Sequence, residues 1–526
     1  MSSRRFSTTL RCLHIPELVL LICAELRDAE CHKSLAAFAL CCRSVCEPAL
    51  DVLWEEQYSL VGLTTVLSCH LPGDDLQRHG RKLIPSDISP QDWERGQTYA
   101  RRVKMFSIPS CNLSCVERVR RPTVHRSVLE TLFSHAADSR LFPNLRTLNF
   151  SYEPAYKRYL RLFVGPTLRS LRIHFWHDED HGYLLPALPC MCPDLESMAL
   201  EGVSRPAISA LAALDQILGW RSVTHAEIPC TITGSLAHVS RQASLRSLRL
   251  TLDAEDSWVP ATRPGFERLE RLAIRTEYPS KVVSLLRAMS SAPLALESFS
   301  VEIESGAWIA RSAEIERSFQ KLAGLLNLSV DLSVLRKFVY TQEHRGLHPA
   351  DAWPVVSASS IVGFSRCPNM VHFEVACESD VIDADTAVLA RAWPKLERFS
   401  LGANECTSDR QLLRASSPTL ASLTSFATYC PLLSRLQLAV DATSIPPLPP
   451  TPLSHQCSAP SICLRLEAST MHGDAHAIAD FILAIFKGKK QIDLPIEPGT
   501  LSHPAVLWAA VQKRVKCLQK QRTSIA

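Results

Sequence analysis

The stretch LRSLRI at 168–173 returns almost unchanged as LRSLRL at 245–250. Apolar residues stand first, fourth and sixth, with polar residues third and fifth. Outward from these two, the same grain appears as LRTLNF (145–150), LESMAL (195–200), VTHAEI (223–228), LERLAI (269–274) and LESFSV (296–301). It continues as LRKFVY (335–340), MVHFEV (370–375), LERFSL (396–401) and LSRLQL (433–438), with consecutive starts 22–39 residues apart. VKMFSI at 103–108 reads as a degenerate first copy. The third residue is polar every time: Thr147, Ser170, Ser197, His225, Ser247, Arg271, Ser298, Lys337, His372, Arg398 and Arg435. Alternation of this kind is the mark of a strand with one buried and one solvated face.

Proline punctuates the pattern, two residues ahead of the first apolar position, at Pro143, Pro166, Pro193, Pro368, Pro394 and Pro431. Proline cannot continue a helix, so each one marks the turn into a strand. Amphipathic helices are predicted between strands, for example over 207–218 and 280–289. A strand, a crossover and a parallel strand, repeated many times, build a solenoid whose units hide their core against their neighbours. The copies resemble degenerate leucine-rich repeats, whose following asparagine survives only as Asn404. After Val440 comes a proline-rich linker or loop at 441–461. A strand (ICLRLEAS) and helices at 475–486 and 503–520 are predicted beyond it as a C-terminal cap over 462–526.

Composition narrows the function. Of 526 residues, 46% are hydrophobic and 21% charged, the profile of a large globular chain. The longest apolar run, Leu18–Ala24, is far shorter than the roughly 20 residues of a bilayer span, so no membrane partner is expected. A net charge of +4, spread along the sequence, gives no footprint for nucleic acid. The 19 cysteines, an odd number with no secretory signal before them, point to reduced thiols and to the cytoplasm or nucleus. Phosphate-cradling glycine loops, dinucleotide fingerprints, nucleophile elbows and HExxH pairs are missing from the sequence, so neither a catalytic residue nor a cofactor is predicted. One stretch, 173–192, gathers His174, His177, His181, Cys190 and Cys192. Its spacing departs from paired zinc ligands, and Pro193 makes the cysteines the lead-in to the next strand. No metal site is predicted there.

The N-terminal segment LHIPELVLLICAELRDAECHKSLAAFALCCRSVCEPALDVLWEE (13–56) is helical by its own grain. Pro16 and Glu17 suit a first helical turn, and Leu18, Ile22 and Leu26 form a stripe widened by Leu21 and Cys23. A second helix is read around 34–46, with Cys41 and Cys42 packed inside it. Pro48 is read as an interruption before ALDVLW. So small a unit holds more apolar surface than its helices can share, and a partner or the adjoining solenoid must cover the rest.

These residues resemble the F-box: Leu-x-Ile-Pro-Glu-Leu at the start, Cys-Cys-Arg in the middle and Leu53-Trp54 at the close. Followed by a long divergent repeat region, the arrangement is similar to that of many fungal F-box proteins. The resemblance implies an α/β chain with a short all-α F-box of three helices. Behind it would stand an irregular leucine-rich-repeat-like solenoid, with a parallel sheet on one side and helices on the other. Expected segments are a flexible N-terminus (1–12), the F-box (13–57), a connecting helical segment (58–98) and the solenoid (99–440). The resemblance also implies a non-catalytic substrate receptor of a Skp–cullin–F-box ubiquitin ligase. Ile15, Pro16, Leu18, Ile22, Leu26, Leu35, Leu53 and Trp54 would meet a Skp-type adaptor and, through it, a cullin. The repeats would hold a target protein, with Arg172, Arg249, Arg271 and Arg275 suited to an acidic or phosphorylated segment. The alternatives are a non-degradative scaffold of the same build and, more remotely, an enzyme with an unrecognised site.

Overall fold

A computed structural model describes residues 13–29, 31–67, 77–78, 81–82, 88–108, 126–136, 140–151, 157–174, 187–201, 222–230, 239–240, 242–254, 258, 265–289, 292–304, 312–342, 355–402, 417–448, 461–466, 469, 471, 474–487, 489, 491–495 and 503–525. The expected flexible N-terminus, the helix at 207–218, His177, His181, Asn404 and most of the proline-rich stretch lie outside the described residues. The chain forms two compact units, Met1–Pro229 and Cys230–Ala526.

The first unit opens with three helices, α1 (Pro16–Asp28), α2 (His32–Ala39) and α3 (Arg43–Glu55). Its ladder runs β1 (Glu56–Gln57), β2 (Met105–Ser107), β3 (Thr147–Ser151), β4 (Ser170–His174), β5 (Ser197–Glu201) and β6 (His225–Cys230), each beside the next. In the second unit the order is β7 (Ser247–Leu252), β8 (Arg271–Thr276), β9 (Ser298–Ile303), β10 (Lys337–Gln342), β11 (His372–Val375), β12 (Arg398–Leu401), β13 (Arg435–Leu438), β14 (Ser461–Arg465) and β15 (Gln491–Asp493). Within each of these two ladders all pairings are parallel; a separate short hairpin, Gln77–Arg78 with Arg81–Lys82, is antiparallel. The fold is a parallel α/β repeat solenoid.

All eleven copies of the sequence motif are strands, and each strand begins at the motif's polar third residue. The register is in step as well. Thr147, Ser170, Ser197 and His225 pair in line in the first unit, and Ser247 through Arg435 do so in the second. A repeated backbone device sets this alignment: the carbonyl of the second motif residue accepts two N–H groups from the following copy. Arg146 O accepts from Arg169 and Ser170 at 2.8 and 2.9 Å, and Val371 O from Glu397 and Arg398 at 2.9 and 3.1 Å. A slip by one residue would turn each buried row outward, so the apolar pattern and this device enforce the same register.

Each proline occupies the second position of a turn. The N–H of the residue two places on donates to the carbonyl just before the proline, at 3.0–3.3 Å, in all six cases. The ring's fixed φ suits that position. Three of these turns read Cys-Pro (Cys192, Cys367, Cys430), and all three thiols are buried. Burial pushes the thiols of Cys192, Cys367 and Cys430 up to about 11, 12 and 12. These cysteines serve as small apolar fillers beneath the turns.

The buried face carries the first, fourth and sixth motif residues. In the second unit the fourth position becomes an aromatic file, Phe299, Phe338, Phe373 and Phe399, with neighbouring rings 5.6–6.1 Å apart. Helices cover that face. Of the residues at 280–289, all lie in a helix, Pro279–Met289, and it packs on Ser312–Ser329. Phe319 of the latter stands 5.0 Å from the ring of Tyr340, and Phe426 of Leu420–Tyr429 stands 4.6 Å from Phe399. At the C-terminal end, Ala475–Ile485 packs on His503–Ile525, which also lies against β15 and buries Trp508, Val511 and Val515.

Two readings of the N-terminal segment are corrected. The expected helix at 34–46 is broken: α2 ends at Ala39, and Cys42 stands in extended backbone as the N-cap of α3, its carbonyl accepting from Val45 and Cys46. Pro48 does not interrupt α3, which passes through it. Proline so near the start of a helix removes a single backbone hydrogen bond, and burial of Val45 and Ala49 on either side offsets the loss.

Candidate functional site

Three short helices must choose which apolar residues to hide. The core of this module consists of Val19, Cys23, Leu35, Ala39, Val45 and Ala49, with Leu13, Leu26, Phe38, Leu50 and Leu53 packed partly against it. On α1 the inward stripe is therefore Val19, Cys23 and Leu26. Ile15, Leu18, Leu21 and Ile22 fall in the adjoining arc of about 120° at 3.6 residues per turn, with Glu25 between Leu18 and Leu21. All four remain between 38% and 58% exposed, and Leu20, on the opposite flank, is 47% exposed. Leu40, at the C-cap of α2, is 86% exposed. Full burial of a half-exposed Leu or Ile against a partner would stabilise by about 1 kcal/mol each.

The module's ion pairs between elements lie elsewhere. Arg27 bonds Glu55 at 3.0 Å, joining the end of α1 to the end of α3, and Lys104 bonds the same carboxylate at 2.9 Å. Arg102 engages both Glu47 and Asp51 of α3. β1 follows α3 without a loop and pairs with β2, so the module is joined covalently and by hydrogen bonds to the first strands of its unit. Trp54 half-buries its ring 4.9 Å from Tyr99 on the helix Pro90–Ala100. Polar ties and Trp54 thus serve internal packing, and the α1 arc is left to solvent.

Of the residues expected to meet an adaptor, Ile15, Pro16, Leu18 and Ile22 stand together at the exposed start of α1. Leu26 and Leu53 are half-buried against the module's core, and Leu35 is wholly inside it. Leu40 escaped the sequence reading, because a continuous helix over 34–46 hides the break that exposes it. Cys42 sits in that same break. Its thiol is lowered from the usual range by a hydrogen bond with the Ser44 hydroxyl, 3.1 Å away, and by the Val45 N–H.

Of the four arginines expected to face a target, Arg249, Arg271 and Arg275 stand on the adjacent strands β7 and β8 of the second unit, and Arg172 on β4 of the first. Arg172 lies across from Glu227 at 3.8 Å, and Arg275 bonds Glu302 and Glu304 at 3.2 and 2.8 Å. Arg249 and Arg271 stand on β7 and β8, both exposed. Carboxylates therefore balance Arg172 and Arg275. Among the described residues no three metal-ligating side chains form a group, and no helix is long and apolar enough to cross a membrane.

No family model matches the chain, and no curated protein does. Among solved structures, the crystal structure of the Rad7 and Elc1 complex in yeast aligns over 77% of this chain and 92% of its own, at 14% identity and a TM-score of 0.27. A likeness at that level assigns no role to this chain.

Proposed function

We propose that this chain is a substrate receptor of a cullin-based ubiquitin ligase, docking on a Skp-type adaptor through the α1 face and holding a target protein on its repeats. The observation that carries the reading is the unshared apolar arc. The module's core is already filled by Val19, Cys23, Leu35, Ala39, Val45 and Ala49, yet Ile15, Leu18, Leu21 and Ile22 stay outside it. Apolar side chains left together in water on a short helix mark a protein interface. The F-box resemblance of the same residues names the adaptor class. In this reading the chain has no reaction of its own; it positions the target for enzymes carried by the rest of the ligase.

Capture of purified Skp-type adaptor and cullin on the immobilised full chain tests the proposal. Both should be retained by the natural chain and lost with the Pro16→Ala, Leu18→Asp pair. Retention of neither by the natural chain would overturn the assignment.

A further inference from the structure

Several arginines of the repeats are balanced by nearby carboxylates. Arg169 bonds Asp194 at 3.1 Å, Arg246 engages Glu270, and Arg275 bonds two glutamates. Four consecutive strands of the second unit differ from these. The in-line third positions of β10, β11, β12 and β13 are Lys337, His372, Arg398 and Arg435, paired in register by the ladder. Lys337, Arg398 and Arg435 are exposed and form no ion pair among the described residues. At the fifth positions of the same strands stand Val339, Glu374, Ser400 and Gln437, so Glu374 is their one acid.

Glu374 is already committed. His372 Nε2 lies 3.1 Å from its carboxylate, and Lys337 and Arg435 also hold its titration below the ordinary carboxylate range. One carboxylate thus answers four basic side chains. Glu397, on the turn before β12, is exposed and forms no ion pair with them. Like charges directly opposite one another destabilise a sheet, so this row is held at a cost that an anion would relieve.

We propose that the row Lys337, His372, Arg398 and Arg435 binds a phosphorylated segment of a protein, and is where a target is recognised. This rests on the receptor reading for its biological sense, although the chemistry stands alone. Arg398 and Arg435 are in register on adjacent strands, about 4.8 Å apart at the backbone. Two guanidinium forks at that spacing bracket a single doubly charged phosphate, each offering paired N–H donors. Lys337 lies two strands further, about 10 Å away, which an extended peptide spans in about three residues. A lone carboxylate matches one fork, whereas a phosphate matches two. Three cations and a histidine in a row about 14 Å long, in a chain of net charge +4, are too few for the extended phosphate track of a nucleic acid.

The test uses the full chain and a degenerate peptide library with a fixed central phosphoserine, beside its serine twin. The phosphoserine library should be retained at least tenfold more strongly. Arg398→Gln with Arg435→Gln should remove that preference, and Arg398→Lys with Arg435→Lys should restore only part of it. Arg169→Gln, at a balanced position, should leave it intact. Thermal melting of each variant confirms folding. Equal retention of the two libraries, survival of the preference in the glutamine pair, or displacement of the peptides by a mixed single-stranded oligonucleotide at lower concentration would each overturn the proposal. Adaptor capture, measured on the same variants, should not change. Loss of capture in Leu18→Asp with phosphoserine binding intact would separate the two surfaces. A natural chain that captures no adaptor yet keeps the phosphoserine preference would sink the receptor reading alone.

Discussion

The helix α1 and the repeat strands are comparably rich in leucine and isoleucine, yet they use them in opposite ways. Every first-position residue of the eleven motif copies is buried, from Leu145 to Leu433. On α1 only Val19 and Cys23 are buried, and five larger side chains from Ile15 to Ile22 face solvent. A strand in a solenoid has a neighbour on each side and a helix layer over one face, so its apolar residues find cover within the chain. A three-helix module has none to spare. Apolar residues of the repeats thus report stability, and those of α1 are the ones the proposed adaptor would cover.

Substitutions sharpen that difference, and the largest effect belongs to the repeat core. Trp393 is wholly buried with its indole N–H donating to Phe364 O at 3.2 Å. Trp393→Ala should cost about 3–5 kcal/mol in chemical denaturation. Within the module, Leu35→Ala should cost about 2–5 kcal/mol, whereas Leu18→Ala, about 100° around the helix from Val19 of the core stripe, should change stability by less than about 0.5 kcal/mol. Equal losses at Leu18 and Leu35 would erase the contrast.

Smaller still is an acid-range effect at Glu374. Its carboxyl titrates below its ordinary 4.5, first because His372 bonds it. A group depressed in the folded state stabilises above its unfolded pKa, and that contribution is lost as pH falls through the folded value. Glu374→Gln should therefore flatten the acid limb of the stability–pH profile of the second unit, with little change in its neutral plateau beyond the lost hydrogen bond. The smallest perturbation is chemical labelling. Exposed Cys31, Cys41 and Cys517 should react with iodoacetamide in the native chain, while Cys192, Cys367, Cys377 and Cys430, buried and pushed up to about 11 or 12, should react only after unfolding.

The solenoid was legible because period-two alternation and proline punctuation act locally. Thr147, Ser170 and their counterparts reveal strand direction, face and register before any contact is known. β1 and β15 were not legible: two residues, Glu56–Gln57, and three, Gln491–Asp493, are too short to show alternation, and only pairing with a neighbour makes them strands. The break between α2 and α3 was missed because Leu40-Cys41-Cys42 carries no glycine or proline, whereas Pro48, which looked like a break, is absorbed near a helix start. At the candidate site, the excess of apolar residues on α1 could be counted, but which of Val19 or Leu18 turned inward depended on α2 and α3. The basic row needed the ladder itself, since Lys337, His372, Arg398 and Arg435 are scattered over a hundred residues of sequence.

The most direct test is a calorimetric titration of the full chain with a purified Skp-type adaptor, comparing the natural sequence with Leu18→Asp, Ile22→Asp. The account predicts one-to-one binding with a negative heat-capacity change from apolar burial, weakened at least a hundredfold by the two substitutions at unchanged melting temperature. Binding of equal strength in both chains, or no binding in either, would contradict the claim that the α1 face is half of an interface.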